Sequence, residues 1–540
     1  MKAAQIYLPL VTAATLVLGM FIGSRYDYPA RPTRLLSEEE KEQKIRQIIN
    51  YIDYEYVDDV NTDSLLDLTI RDMLHRLDPH SSYIAEQDVQ ANEESIQGHF
   101  EGIGIEFHMN RDSLTVVRVV DGGPAQSSGV KAGDRIVSID GVSAIGDYKV
   151  TAPIIETLRG PSGSEVVVEV AQRGGNALRK IQIERGPIPI RSVDVSYLVN
   201  DSIGLIKVNR FSETTMDEFE VAIRSLERRG MDRLILDLRD NPGGLLRIAE
   251  EMSDAFLKKD QLIVYTQNRE GDKDMTFATS RGIFERGELI VLINENSASA
   301  AEIVAGALQD NDRATIIGRR SFGKGLVQEE MRLSDGSRMR LTTSRYYTPT
   351  GRSIQKPYDN GYESYQRDYY RRVENGELFK PDSSQFDPSD RYITKGGKVV
   401  YGGGGIMPDI FVPIDSSIYT NGWLYHKFSY SNVDEFAFEY VDRHRAEFAD
   451  MTAEEYVKNW AVSNGVYNEL LAHLGASEVK NRIDAVMRDF IEQRLKALIG
   501  KNIWGLDGFY PVVYQDDPTV RAAMINWGAW TDTVPRVVEP

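Results

Sequence analysis

The chain has 540 residues, 41% of them apolar and 27% charged, so most of it can build packed cores. At ~100–200 residues per domain, that length suggests about three or four domains. Its 63 basic residues against 82 acidic ones leave a net charge of −19, which argues against a general nucleic-acid binder, whose footprint is basic. The absence of cysteine excludes disulfide scaffolds, thiol nucleophiles, Cys-based zinc sites and lipid attachment to an N-terminal cysteine.

Residues 6–23 carry no charge, follow Lys2 and end before Arg25. As a helix they span roughly 27 Å, enough for a bilayer core. An uncleaved anchor competes with a cleaved signal sequence; without a clear small-x-small site before Arg25, the anchor is preferred. Lys2 on one side and Arg25, Arg31 and Arg34 on the other leave its orientation open. Residues 24–95 read as a small helical packing segment. Ser37-x-x-Glu40 is a capping box, followed by Ile45, Ile48, Ile49 and Ile52 on one helix face. Leu66, Ile70, Met73, Leu74 and Leu77 mark a second helix, which Asp78-Pro79 stops.

Residues 96–187 are rich in short strands, 114–120, Arg135–Ile139 and 166–170, separated by Pro124-Ala125, a Gly129–Asp134 turn and Leu158-Arg159-Gly160-Pro161. With the loop Gly102-Ile103-Gly104-Ile105 and the run 133–141, the series resembles a PDZ domain. In such a domain that loop offers backbone N–H groups to a peptide's terminal carboxylate, and the peptide adds as a strand to the sheet edge. A β-hairpin domain whose glycines only make turns is the competing reading.

Residues 188–412 alternate strands and helices. Ile203–Val208 is a strand, Phe219, Ala222, Ile223 and Leu226 mark a helix, and further strands fall at 234–238, 289–293 and 314–318. The stretch 358–400 lacks periodicity and reads as an insertion or long surface loop. Four glycines at 402–405 are not a phosphate loop, because no Gly-Lys-Ser/Thr follows. Residues 413–540 read as mostly helical, with Val479, Ile483, Val486, Met487, Phe490, Ile491 and Leu498 on one face and Gly500 placed to cap the end. Packing and oligomerisation are the two roles this region suggests.

The seven histidines, 75, 80, 99, 108, 426, 444 and 473, all lie outside the α/β core. A Ser-His-Asp triad within that core is therefore excluded, although a histidine from another region could reach in. The core offers Asn296-Ser297-Ala298-Ser299-Ala300-Ala301-Glu302 between a strand and a helix. A serine there sits beside helical amides that can stabilise an oxyanion. Ser299-x-x-Glu302 is also a capping box, and Ser297 could cap the same helix, so capping competes with catalysis. Further on, Lys324 lies between Gly323 and Gly325. A buried lysine beside few acids loses its proton readily, which suits a general base; a solvated loop residue is the bland alternative.

Taken together, Leu77-Asp78-Pro79-His80-Ser81, the PDZ-like run, Asp237-Leu238-Arg239-Asp240-Asn241-Pro242-Gly243-Gly244, the Ser297–Ile303 segment, Phe322-Gly323-Lys324-Gly325 and Tyr347-Thr348-Pro349-Thr350-Gly351-Arg352 resemble the carboxyl-terminal processing, or tail-specific, serine proteases over roughly residues 40–415. The resemblance implies a multidomain α/β protein. It has a crotonase/ClpP-like protease core, an inserted β-rich PDZ domain, N-terminal helices and a helical C-terminal extension. It implies a Ser/Lys dyad and selects Ser299 over Ser297 as nucleophile. Lys324 matches the general base and Gln328 a position that orients it. Gly243 or Gly244, with Ala300, matches the oxyanion region. Asp310 matches a third position sometimes grouped with the dyad. Lying eleven residues along the helix, about 16 Å away, it suits structural support better. Arg159 resembles a PDZ arginine that in some members couples ligand capture to dyad alignment; a salt bridge inside the PDZ domain is the other reading.

The expected function is a serine endopeptidase that recognises the C-terminal tail of protein substrates and cleaves near that end. No cofactor or metal is called for. Expected partners are proteins or peptides with accessible apolar C-termini, the membrane through residues 1–23, and a second copy of the chain through residues 413–540, with no nucleic acid. The family's usual location implies a bacterial envelope protein facing the periplasm. A catalytically silent PDZ-type scaffold is the alternative, and a crotonase-type enzyme acting on thioesters gains little support because a PDZ domain has no evident use there.

Overall fold

The computed structural model describes residues 37–110, 113–145, 152–171, 177–380, 388–415, 422–527 and 536–537. The segment expected to be a membrane anchor lies outside them. Among the described residues no helix is long and apolar enough to cross a membrane. The chain forms two units, residues 1–72 and 73–540. In the first, helix Glu38–Glu55 opens with the expected capping box: Glu40 N–H donates to Ser37 Oγ at 3.2 Å, and Ser37 N–H donates to Glu40 Oε2 at 2.9 Å. Its apolar stripe is exposed among the described residues. No residue of the helix is buried, and Ile45 is 51% exposed. Helical spacing reveals such a stripe but not whether anything covers it.

In the second unit a seven-stranded sheet runs in the order Val193–Leu198, Ile203–Val208, Arg233–Asp237, Glu288–Ile293, Thr315–Gly318, Ile410–Phe411, Arg536–Val537. All pairs but the first are parallel. A parallel sheet must be covered on both faces, and the strands alternate accordingly. Leu234, Leu236, Val291 and Ile293 face a core that includes helices Thr215–Arg228, Leu246–Asp254 and Ala300–Asp310. Leu205, Ile235, Ile290 and Leu292 face Tyr514, Val520, Ala522 and Ala523 from the C-terminal region.

A second sheet orders Ser82–Ile84, Arg338–Tyr347, Leu262–Asn268 and Lys273–Phe277, with Leu326–Arg332 also paired to Arg338–Tyr347. The β-rich region forms its own sheet, Ile105–Asn110, Ser113–Val119, Arg135–Ile139, Glu165–Ala171, Leu178–Glu184, with Ile105–Asn110 at an edge. Strands His99–Gly102 and Gly186–Pro189 pair antiparallel where the chain enters and leaves it.

Two expectations need correction. The described residues of 358–400 are not a bare surface loop. They hold helices Tyr362–Gln366 and Asp368–Glu374, and they bury Tyr365, Asp368, Arg372 and Leu378. Beside Tyr365 and Leu378 they bury an ion pair, Asp368–Arg372, that also takes in the preceding Lys356, and such buried charges weaken any apolar periodicity. Gly500 does not cap a helix end. Helix Ala485–Trp504 runs past it to Gly505, and Gly500 instead lets helix Leu506–Val513 cross closely: a Cβ there would meet the Gly508 carbonyl oxygen at 2.3 Å. Gly500→Val is expected to lower the unfolding free energy toward the upper part of the ~1–3 kcal/mol overpacking range, read by denaturant titration.

Candidate active site

Strand Glu288–Ile293 runs into a tight turn and then helix Ala300–Asp310, whose eleven residues are all buried. Ser299, at the turn, has φ +54° and ψ −115°, a conformation that a non-glycine residue holds only where its surroundings impose it. The two candidate serines separate here. Ser297 is wholly buried; its hydroxyl donates to the Leu238 carbonyl oxygen at 2.8 Å and accepts from Asn294 N–H at 2.9 Å. Ser299 lines a cleft of about 750 Å³, shared with Ala300, Gly243, Gly244, Lys324 and Gln328.

The loop 239–244 lies against this turn. Ala298 N–H donates to the Asn241 carbonyl oxygen at 2.9 Å, and Asn294 and Asn296 each donate to Asp240 Oδ1 at 2.9 Å. Gly243 approaches so closely that an added Cβ would stand 2.8 Å from Ser299 Cβ. Its N–H is engaged, donating to Asn241 Oδ1 at 2.8 Å. At Gly244 (φ +144°) a Cβ would strike the Phe211 carbonyl oxygen at 2.1 Å. The N–H groups of Gly244 and Ala300 make no hydrogen bond among the described residues.

The third wall is the loop 321–325, fixed by a residue read from sequence only as a helix cap. Glu302 is fully buried and accepts four hydrogen bonds: from Ser299 N–H (2.9 Å), Lys324 N–H (2.8 Å), Gly323 N–H (2.7 Å) and the Ser321 hydroxyl (2.5 Å). Burial pushes its carboxyl above the usual range and the four donors oppose that. Tyr346 adds a second tie, its hydroxyl donating to the carbonyl oxygens of Ser299 (3.2 Å) and Lys324 (2.5 Å). From the far side, Arg372 donates to the carbonyl oxygens of Ser321 (2.8 Å) and Phe322 (3.1 Å). The glycines at 402–405 belong to the same brace: Gly405 passes beside Ser321, and Ile406 N–H donates to Ser321 Oγ at 2.6 Å.

The Lys324 amine has no hydrogen bond or ion pair among the described residues. Burial first, then the positive charge of Arg340, push it down to about 8, while Glu302 and Asp78 pull the other way. Arg340 is held at the cleft by Asn92 Oδ1 (2.9 Å) and Glu330 Oε2 (3.2 Å). The Gln328 amide nitrogen is buried without a partner. A histidine does approach from outside the core. His80 bonds the Tyr365 hydroxyl at 2.7 Å and is pushed down to about 3, chiefly by burial and then by Lys324, so it is neutral. Asp310 is spent elsewhere: it pairs with buried Arg352 at 2.7 Å and accepts from the Thr350 hydroxyl at 2.6 Å.

In the β-rich domain the Ile103 and Gly104 carbonyls turn inward to Ala125 and Val120 N–H groups, at 2.8 and 3.0 Å. The N–H groups of Ile103 and Gly104 are unbonded among the described residues. Gly104 has φ +76°, and a Cβ there would press on Ile188. The next strand begins at Ile105, with Ile105, Phe107 and Met109 packed along the domain core. The Arg159 ion pair leaves this domain. Its guanidinium lies over the Phe100 ring and reaches Glu94 at 3.0 Å, on helix Glu86–Gln97, whose Asn92, Ser95 and Ile96 line the cleft. Tyr346 and Arg340 carried no signal in the sequence, being ordinary strand residues of Arg338–Tyr347. Glu302 was visible as the fourth residue of a capping box.

Residues 202–362 match peptidase family S41, residues 102–183 match the PDZ domain, and residues 424–505 match a family of unknown function. A carboxy-terminal-processing protease of Bartonella bacilliformis is 38% identical over 347 residues, which cover 63% of this chain and 79% of that one. The carboxy-terminal processing protease CtpB of Bacillus subtilis is 36% identical over 316 residues, 58% of this chain and 65% of the relative. Among solved structures, the photosystem II D1 C-terminal processing protease is 29% identical, covering 58% of this chain and 83% of that chain with a TM-score of 0.34.

Glu302→Gln would turn an amide NH₂ toward two of the four donors. It is expected to cost about 3 kcal/mol or more in urea unfolding and to lower peptidase activity in the folded fraction, as the serine turn and the lysine loop lose their common acceptor.

Proposed function

Because the chain belongs to the carboxy-terminal processing proteases of peptidase family S41, serine-type peptidases that here carry a PDZ domain, we propose that it captures the C-terminal tail of a protein and cuts near that end with a Ser299–Lys324 dyad. The observation that supports this most is the shared cleft: a strained serine and an unpaired, desolvated lysine line one cavity, with their main chains tied by Glu302 and Tyr346.

The neutral Lys324 amine takes the proton from Ser299 Oγ as the oxygen attacks the scissile carbonyl carbon. The developing oxyanion is met by the N–H groups of Gly244 and Ala300, which are uncommitted. Gly243 contributes by close approach, since its own N–H is held by Asn241. The Lys324 ammonium returns its proton to the leaving amine, and water then releases the acyl group from Ser299. Gln328, which lines the same cleft, orients the amine through its amide oxygen. Asp310 takes no step.

The tail's carboxylate is bound by the Ile103 and Gly104 N–H groups in the loop that Gly102 and Ile105 flank, and the tail pairs with the edge strand Ile105–Asn110. Ile105, Phe107 and Ile154 favour apolar final residues. Arg159 links this groove to the cleft helix through Glu94. The uncharged residues 6–23 support anchoring in a membrane, and the family's usual location supports a bacterial envelope with the protease facing the periplasm.

On an unstructured peptide with an apolar C-terminus, Ser299→Ala and Lys324→Ala are expected to abolish cleavage. Wild-type turnover from the alanine variant at 299 ends the dyad reading, and failure of a serine-directed probe to label the wild type would favour a silent scaffold. The base works unprotonated, so kcat/KM should rise with pH through about 8. Arg340→Gln removes a neighbouring positive charge and should move that limb upward. Amidating the peptide's C-terminus should raise KM several-fold and leave kcat nearly unchanged.

A further inference from the structure

Beneath the loop 239–244 lies a buried charge cluster that none of the steps above uses. Asp237, at the end of strand Arg233–Asp237, is fully buried and is gripped by Arg239, with Nη2 to Oδ2 at 2.7 Å. The Arg239 main chain is pinned on both sides: its N–H donates to Asp237 Oδ1 at 2.9 Å, and its carbonyl oxygen accepts from Lys207 Nζ at 2.8 Å. The cluster is completed from the far end of the sequence. Arg239 Nη1 reaches Asp517 Oδ2 at 2.7 Å, and the Tyr514 hydroxyl donates to Asp237 Oδ2 at 2.7 Å. Two carboxylates then balance two cations, as burial requires. A second thread runs alongside. The Tyr510 hydroxyl donates to Asp194 Oδ2 at 3.0 Å, and Asp194 bonds Asn209, a residue of the cleft wall.

We propose that the C-terminal helices complete the active site from below, with Tyr514 and Asp517 as positioning residues that hold Arg239 and so the loop that presents the Gly244 amide. The inference rests on the reading that this loop supplies an oxyanion donor. The loop needs such support. Asp240, next to Arg239, has φ +60°, and Gly243 and Gly244 lie at φ +102° and +144°, so the segment is not held by regular secondary structure. A donor displaced by a fraction of an ångström loses much of its value to the transition state while substrate binding is little changed.

Asp517 also caps helix Pro518–Ile525, its Oδ1 accepting from Thr519 and Val520 N–H groups at 2.8 and 2.9 Å. Asparagine caps as well as aspartate, so Asp517→Asn keeps the cap and turns an NH₂ toward Arg239. Tyr514→Phe removes only the hydroxyl. Turnover per labelled Ser299 should be measured on the full chain for both variants and for Asp517→Glu, and turnover per mole of folded protein for Ser299→Ala, together with inhibition of the serine-bearing forms by a peptide boronate that forms a tetrahedral adduct on the serine. For both Asp517→Asn and Tyr514→Phe, kcat should fall about tenfold or more, with KM within about twofold and boronate affinity falling in step. Asp517→Glu should recover part of the loss. Folded Asp517→Asn and Tyr514→Phe with wild-type kcat and boronate affinity would overturn the inference. Where Asp517→Asn does not fold, Tyr514→Phe decides alone. An inactive Ser299→Ala beside unaffected variants sinks only this inference, whereas a fully active Ser299→Ala sinks the dyad reading on which it rests.

Discussion

One buried carboxylate organises the cleft. Glu302 has no water to turn to, and each of its oxygens receives two donors, one pair from Gly323 and Ser321 and the other from Ser299 and Lys324. Three of the four are main-chain N–H groups. The carboxylate therefore fixes backbone rather than side chains. The serine turn and the lysine loop leave adjacent parallel strands, with Ile293 opposite Gly318, and Phe322 N–H donates to the Ser297 carbonyl oxygen at 3.0 Å; Glu302 extends these ties to the ends that carry Ser299 and Lys324. A charged acceptor in a dry site makes strong hydrogen bonds, and losing any one leaves a buried group unsatisfied. Helix Ala300–Asp310 is built from Ala, Gly and a few branched residues around this side chain, which lets the helix sit deep enough to bury it.

The same arrangement accounts for the electrostatics of Lys324. Glu302 lies close enough to raise the lysine's proton affinity, yet it spends both oxygens on backbone donors and forms no ion pair with the amine. Burial pushes in the opposite direction, and Arg340, kept at the cleft by Asn92 and Glu330, adds to that push. The lowered proton affinity of the amine is thus a balance of placement. An acid is near but occupied, a cation is near and anchored, and water is largely excluded. His80 shares this environment and is driven neutral by the same forces.

Much of the fold was legible because the core strands carry their burial in their pattern. Ile203–Val208 and Arg233–Asp237 alternate between two apolar faces, and helix Thr215–Arg228 repeats at helical spacing. The cleft was legible where the sequence marks a constrained setting, since the serine turn at 299, the lysine between glycines at 324 and the glycine pair 243–244 all come to line one cavity. It was not legible where a common residue acts through a partner distant in sequence. Tyr346 bridges two main chains from an unremarked strand position, and Arg372 secures the lysine loop from a stretch that reads as loop. Ser297 and Ser299 could not be told apart by local pattern, since both can cap. What separates them is that Ser297 already donates to the Leu238 carbonyl oxygen, just past strand Arg233–Asp237. Gly500 misled for a related reason: glycine at a helix end and glycine at a helix crossing look alike in one dimension.

The region after residue 413 is best understood through the sheet. The chain leaves the sheet after Ile410–Phe411 and returns at Arg536–Val537, which pairs parallel beside it, Ile410 opposite Arg536 and Phe411 opposite Val537. Parallel neighbours need a crossover connection, and here the intervening helices are that crossover. Their last two, Leu506–Val513 and Pro518–Ile525, bring Tyr514, Val520, Ala522 and Ala523 onto the sheet face opposite Ser299's helix. The residues matching peptidase family S41 end at 362, so the matched segment alone would leave Ile235, Ile290 and Leu292 without this cover. A parallel sheet with one apolar face in water is not a stable arrangement. The helical extension is therefore part of the protease core in the physical sense, and residues placed under the loop 239–244 by that packing stand where they can act on catalysis.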